Sequence, residues 1–217
     1  MGVSEKLARV LSTAFVPGAQ FSALVLEVRT VGELFVSSGQ IVACDPLVCP
    51  ETKPFTRTVP IGSHPVTVSI ARFPDGDERI GCAMLKWNDS PVTDWEPALL
   101  PGQDPTKLKT DEFFAYPVDA GLGCFMDQDA AMLLIRRMDE LRDKDSDSNY
   151  FDDVLEAELN VNYKHTRDWT NHHPVPDRPH NVIIFSSGDG DGRYPSFFGM
   201  ASGAATCLVT DFCILPG

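Results

Sequence analysis

Two hydrophobic periods coexist in this chain, and they occupy separate stretches. Val66-Thr67-Val68-Ser69-Ile70 alternates apolar and polar residues, the period of a half-buried strand. Asp75-Gly76 then gives a turn signal, and a further strand is expected from Ile80 to Trp87. Past Asp127 the period changes. Ala131, Leu134, Ile135, Met138 and Leu141 recur at i, i+3, i+4, i+7 and i+10, which predicts an amphipathic helix. Asp127 is placed to cap it, with Asp129 in its first turn. A second helix is expected from Asp152 to about Trp169, with Phe151, Leu155 and Leu159 along one stripe. Further strands are expected at 22–27, 32–43, 181–186 and 206–215, with another starting in 92–100. This order predicts an α+β fold. Its core is a mainly antiparallel sheet or barrel-like sandwich, with a helical pair inserted before the last strands. The helices are too few and too clustered for a doubly wound βαβ arrangement.

A chain of 217 residues suits one well-buried core, so a single domain is expected over 1–217. Residues 1–20 read as an N-terminal extension and 128–170 as the helical segment. The formal net charge of −13 argues against nucleic acid, because phosphate binding needs a basic face. It also disfavours docking to anionic membranes. No run reaches about 18 apolar residues, the length that crossing a bilayer as a helix requires. The first twenty residues lack the apolar core of a signal peptide. The six cysteines form no C-x-x-C pair, and several lie in apolar runs, so a reduced, cytoplasmic protein is expected.

Chemistry-bearing residues concentrate in two segments. Ser186-Ser187-Gly188-Asp189-Gly190-Asp191-Gly192-Arg193-Tyr194-Pro195-Ser196 reads as a glycine-rich loop after a strand, rich in amides, carboxylates and hydroxyls. Val118-Asp119-Ala120-Gly121-Leu122-Gly123-Cys124 reads as a second loop, just before a helix N-terminus, where a thiol pKa falls. Metal patterns are incomplete. Asp189-Gly190-Asp191 lacks a later bidentate Glu, and Asp143 to Asn149 has Ser148 and Val154 where a calcium loop needs Gly and Glu. His165, His172, His173 and His180 fall close together but without metalloprotease spacing. Phosphate-loop, dinucleotide and nucleophile-elbow motifs do not occur.

Six segments, in this order, resemble the bacterial family of domain-of-unknown-function 4241. They are Ser38 to Pro46, Val59 to Val66, Trp95 to Asp104, Asp119 to Asp127, Tyr150 to Leu155 and the glycine-rich loop. The resemblance spans roughly 32–215 and implies no reaction. Against its pattern, His64 stands where Tyr is usual, Asp189 where Trp is common, and Phe197-Phe198 replace a Tyr-Trp pair. Asp191 is therefore the loop acid that fits the pattern.

The residues favour an acid–base enzyme, such as a hydrolase of a small polar molecule. Asp119, Cys124 and Asp191 are its expected catalytic groups, and Gly188, Gly190, Gly192, Arg193, Tyr194 and Ser196 its expected binding groups. No cofactor is expected. The rival reading is an acidic binding protein that neutralises a basic toxin or partner through its carboxylate-rich loops.

Overall fold

The computed structural model describes residues 3–109 and 112–216. Helix α1 (Glu5–Thr13) opens the fold, with Ser4 accepting the Leu7 N–H at 3.3 Å. Strands β1 (Gln20–Phe21), β2 (Leu24–Val36), β3 (Ile41–Cys44), β4 (Gly62–Arg72), β5 (Glu78–Lys86) and β6 (Asp94–Pro97) follow. After a 3₁₀ turn come β7 (Ala115–Val118) and β8 (Leu122–Asp127). Helix α2 (Gln128–Lys144) starts directly after β8. A π-helical turn, Phe151–Leu155, then runs into the short α3 (Glu156–Asn160). The chain closes with β9 (Trp169–His172), β10 (Val182–Ser186), β11 (Gly192–Ala201) and β12 (Ala204–Asp211).

All pairings between these strands are antiparallel, and they build two sheets. The larger, of eight strands, runs β1-β2-β4-β5-β12-β11-β6, with β7 also on β11; the smaller runs β3-β8-β10-β9. Side-chain alternation sets the layers. Ile41, Ala43, Phe125, Ile183 and Phe185 on the small sheet pack against Val66, Val68, Leu85, Phe198 and Leu208 on the large one. Their neighbours Val42, Cys44, Cys124, Met126, Val182 and Ile184 point the other way and meet α2, Tyr150 and α3. On the far face of the large sheet, Val10, Leu11 and Ala14 cover Leu26, Trp95, Phe197 and Val209. The small sheet is thus buried on both faces, which is why its strands read as continuous apolar runs rather than alternating ones.

The sheets meet where β2 bulges between Thr30 and Gly32. A Cβ on Gly32 would lie 2.9 Å from Ile183 Cδ1, so a side chain here would have to displace the end of Ile183. Asn181 closes this corner. Its side chain accepts the Phe35 N–H at 2.8 Å and donates to the Glu33 carbonyl at 2.7 Å.

Asp127 caps α2 as its position predicts, accepting the Asp129 N–H at 3.0 Å. It also accepts the Ser38 N–H at 3.0 Å and the Ser37 hydroxyl at 3.0 Å, tying the β2–β3 loop to the helix. The predicted hairpin around Asp75-Gly76 is β4–β5.

Other expectations are corrected. Residues 32–43 are the end of β2, a loop and β3, not one strand. The second helix does not reach Trp169. It ends at Asn160, and Trp169 begins an edge strand. Within the segment read as an N-terminal extension, α1 packs on the large sheet. The glycine-rich loop does not extend to Ser196, because Tyr194-Pro195-Ser196 lies inside β11, where Tyr194 and Pro195 pair with Tyr116 and Ala115.

Candidate functional site

The two segments singled out in the sequence do adjoin, but as turns rather than as one reactive loop. The β7–β8 turn carries Asp119, Ala120 and Gly121; the β10–β11 turn carries Gly188 to Asp191. The Gly121 carbonyl accepts the Ser187 N–H at 3.0 Å, and a Cβ on Gly121 would lie 3.9 Å from Gly190 Cα. Asp45, fully buried, fixes the first turn. Its carboxylate accepts the Asp119 and Ala120 N–H groups at 3.0 and 2.8 Å, and those of Leu47 and Val48 at 3.0 and 3.2 Å. The second turn is tied by Ser187, whose hydroxyl donates to the Gly190 carbonyl at 2.8 Å. Gly188 sits at φ +61°, and a Cβ there would come 2.9 Å from Phe212 Cβ and 3.0 Å from its carbonyl oxygen.

Asp119 and Asp191 are both exposed on these turns. Asp189 is also exposed and pairs with Arg79 at 3.3 Å. Cys124 does not join them. It lies in β8 rather than in a loop before a helix, opposite Cys44 in register. Both residues are fully buried, with sulfurs 3.8 Å apart. The Cys124 contact first, and burial second, push the Cys44 thiol well above its ordinary range. This is the setting of packed thiols, not of an activated one. Gly190 N–H is already spent on the Ser187 carbonyl, which weakens the turn as an anion cradle. Arg193 is exposed on β11, with Gly192 starting the strand. Tyr194 and Ser196 are buried. The Tyr194 hydroxyl donates to the Gly190 carbonyl at 2.9 Å, and the Ser196 and Thr210 hydroxyls share a bond of 2.8 Å. With Tyr116 they edge a void of about 20 Å³, on the scale of a single water.

Among the described residues no group of three or more His, Cys, Asp or Glu side chains is gathered closely enough to hold a metal. The four histidines are separated by the fold. His172 is buried in β9, His165 and His173 are exposed, and the His180 ring meets Phe35 edge-on at 5.7 Å.

A different constellation assembles on the helical side of the small sheet. The Tyr150 hydroxyl lies 2.8 Å from His172 Nε2, and His172 Nδ1 lies 3.0 Å from a Glu158 oxygen. Thr170 donates to the same Glu158 oxygen at 3.1 Å. One proton arrangement satisfies every member at neutral charge on the ring. Tyr150 O–H donates to Nε2, and Nδ1–H donates to the Glu158 carboxylate. Burial works to raise the Glu158 carboxyl, but its bonds to His172 and Thr170 outweigh that and hold it below the ordinary range. Burial, above all, pushes the Tyr150 hydroxyl up to about 12. The π-helical turn sits between the two helical partners, and such turns recur at functional sites.

Tyr150 is also a wall of the adjacent open pocket, about 440 Å³ in volume, with Leu47, Ala120, Met138, Asn149 and Phe151. Ala120 belongs to the Asp119 turn, so this pocket links the sequence-predicted Asp119 to the Tyr150–His172–Glu158 chain. Sequence reasoning missed that chain. His172 stood among four histidines in a proline-rich stretch, and no spacing ties it to Tyr150 or Glu158. Only knowing that β9 pairs beside the helical segment would have joined them.

No curated protein and no solved structure matches this chain. A family model described as "Protein of unknown function (DUF4241)" matches residues 34–210. That span holds both turns, the pocket and the Tyr150–His172–Glu158 chain, while α1, β1 and the start of β2 precede it. On this match the chain belongs to the DUF4241 family.

Proposed function

We propose that the protein performs acid–base chemistry, hydrolysis being the favoured reaction, on a small molecule held in the pocket beside Tyr150. The carrying observation is the unbroken Tyr150–His172–Glu158 chain behind the pocket wall. A Tyr hydroxyl that hands its proton to an imidazole, itself oriented by a carboxylate, follows the general logic of a relayed base. As Tyr150 oxygen takes a proton from substrate or water, its own proton passes to His172 Nε2. Glu158 then stabilises the resulting imidazolium. Return of the proton through the same chain restores the starting state. Asp119, next in the chain to the lining residue Ala120, has a substrate-positioning role. Cys124 has none in this scheme, and Asp191 stays on the neighbouring turn.

The test is hydrolysis of activated p-nitrophenyl esters by the wild type, His172→Gln and Tyr150→Phe. A positioned acid–base group contributes about 10²–10⁴-fold, so both variants should lose at least about a hundredfold while remaining folded by circular dichroism. Wild-type turnover no faster than free imidazole, or equal rates in all three proteins, would refute the reading.

A second reading has its own support. Residues 139–158 hold nine acidic against two basic residues, much of the net charge of −13. This exposed stretch suits a basic protein partner. A salt-sensitive complex lost on charge reversal at Asp143, Asp145 and Asp147, but kept in His172→Gln, would favour it.

A further inference from the structure

A second pocket, of about 210 Å³, opens between α1 and the far face of the large sheet. Its depth is apolar. Leu11 from α1, Trp95 from β6 and Cys207 from β12 are buried, and half-buried Phe15, Met84 and Val92 join them in the lining. Its mouth is charged. Lys86, Asp89 and Ser90 also line it, with Lys86 Nζ 2.8 Å from the Asp89 carboxylate. Hydrogen bonds hold its walls in place. The Trp95 Nε1–H donates to the Ser12 hydroxyl at 3.1 Å, joining sheet to helix. The Asn88 N–H donates to the Thr206 carbonyl at 3.2 Å, and the Ser90 N–H to the Asn88 side chain at 2.7 Å, which fixes the loop carrying Asp89. An apolar cleft with a few convergent polar groups is the usual form of a small-molecule site, and this volume is below the roughly 300 Å³ at which drug-sized ligands begin.

The two lining charges decide the class of ligand. Lys86 and Asp89 together form a dipole. A lone anion at the mouth gains from Lys86 and loses to Asp89, and a lone cation does the reverse, so either nearly cancels. A second dipole laid antiparallel gains from both. The Asp89 side chain is 98% exposed and that of Lys86 38%, so opening their own pair costs little. We infer that this pocket takes a free α-amino acid with an apolar side chain. The ligand's carboxylate pairs with Lys86, its ammonium group with Asp89, and its side chain enters between Phe15, Met84 and Trp95. An α-amino acid holds its two charges one carbon apart, a dipole of the same short reach as the pair it meets. The site is separate from the pocket beside Tyr150 and independent of the reaction proposed there. Each exposed ion pair contributes up to about fivefold in affinity.

L-Phenylalanine, hydrocinnamate and phenethylamine present the same ring with both charges, the anion alone and the cation alone. Each is titrated into the full chain and read at the Met84 methyl group and the Trp95 indole Nε1–H by nuclear magnetic resonance. Phenylalanine should shift both reporters and bind at least about threefold more tightly than either analogue. Asp89→Asn should erase its advantage over hydrocinnamate, and Lys86→Gln its advantage over phenethylamine, with both variants folded by circular dichroism. Equal or tighter binding of either analogue to the wild type, or an advantage that survives both substitutions, would overturn the assignment of the two charges. No shift at either reporter with any probe at about 20 mM would overturn the site itself.

Discussion

Removing one oxygen atom from Tyr150 should have two separable effects on stability. Tyr150→Phe keeps the ring, and with it the edge-on contact to His172 at 5.8 Å between centroids. It removes the hydroxyl 2.8 Å from His172 Nε2 and leaves that buried nitrogen without its donor. An orphaned buried acceptor costs about 1–3 kcal/mol. The second effect depends on pH. The unfolded tyrosine ionises near 10, whereas burial pushes the folded hydroxyl up to about 12. The folded state therefore holds its proton where the unfolded state releases it. The wild type keeps this contribution below pH 10 and loses it as pH rises through the folded value. A gap of this size is worth up to about 3 kcal/mol. Tyr150→Phe has no such proton, so its deficit at pH 8 should shrink steadily between pH 10 and 12. Urea titrations at pH 8, 9, 10 and 11 read both effects, with the m-value constant. A cycle with His172→Leu should show coupling of about 0.5–3 kcal/mol. No cost at pH 8, a deficit independent of pH, or additivity within about 0.3 kcal/mol would refute the proposed chain.

Other outcomes follow from the same packing. Gly188→Ala should cost about 2–4 kcal/mol by chemical denaturation, because φ of +61° and backbone contact at 3.0 Å act together. Gly190→Ala, with φ of +100° but open space, should cost clearly less. Glu78 is buried between Arg167 at 2.9 Å and Lys164 at 2.8 Å. Burial raises its carboxyl, but these partners outweigh that and hold it below the ordinary range. Its stabilisation is present above the unfolded value near 4.3 and lost as pH falls through the lower folded value, so an acid scan should be flattened in Glu78→Gln. Glu78→Ala should cost about 3–5 kcal/mol at pH 7 by leaving buried Arg167 uncompensated. Ellman's reagent should titrate Cys49 and Cys213 in the native protein, and all six thiols only after denaturation; rapid native reaction at Cys124 would contradict its place in β8.

Legibility in the sequence followed the physics of each element. Helix α2 declared itself because one face is core and the other solvent, so a 3.6-residue stripe survives. The β4–β5 hairpin declared itself through alternation and a glycine turn. Strand β8 did not, because it is buried on both faces and begins beside Gly121 and Gly123, and so reads as a loop. Strand β11 was hidden for a similar reason, with Gly192 and Pro195 at pairing positions opposite Val118 and Ala115. The Asp119 turn leads into β8 and the glycine-rich turn leaves β10, and these strands pair, so the two turns adjoin through a pairing that sequence spacing does not carry. Cys124 was misplaced because a thiol before a helix and a thiol inside a buried strand look alike in sequence. The Tyr150–His172–Glu158 chain crosses from a π-helical turn to an edge strand, a contact that only tertiary packing creates.

The most direct measurement of the central claim is the protonation pattern of the His172 ring, read by long-range ¹H–¹⁵N correlation at pH 8.5, where an ordinary imidazole is neutral. The proposed relay predicts Nδ1 protonated toward Glu158 and Nε2 bare, accepting from Tyr150, with Nε2 changing in Tyr150→Phe and Nδ1 hardly at all. A ring protonated on Nε2, or on both nitrogens, would leave no site for the Tyr150 proton and would contradict it.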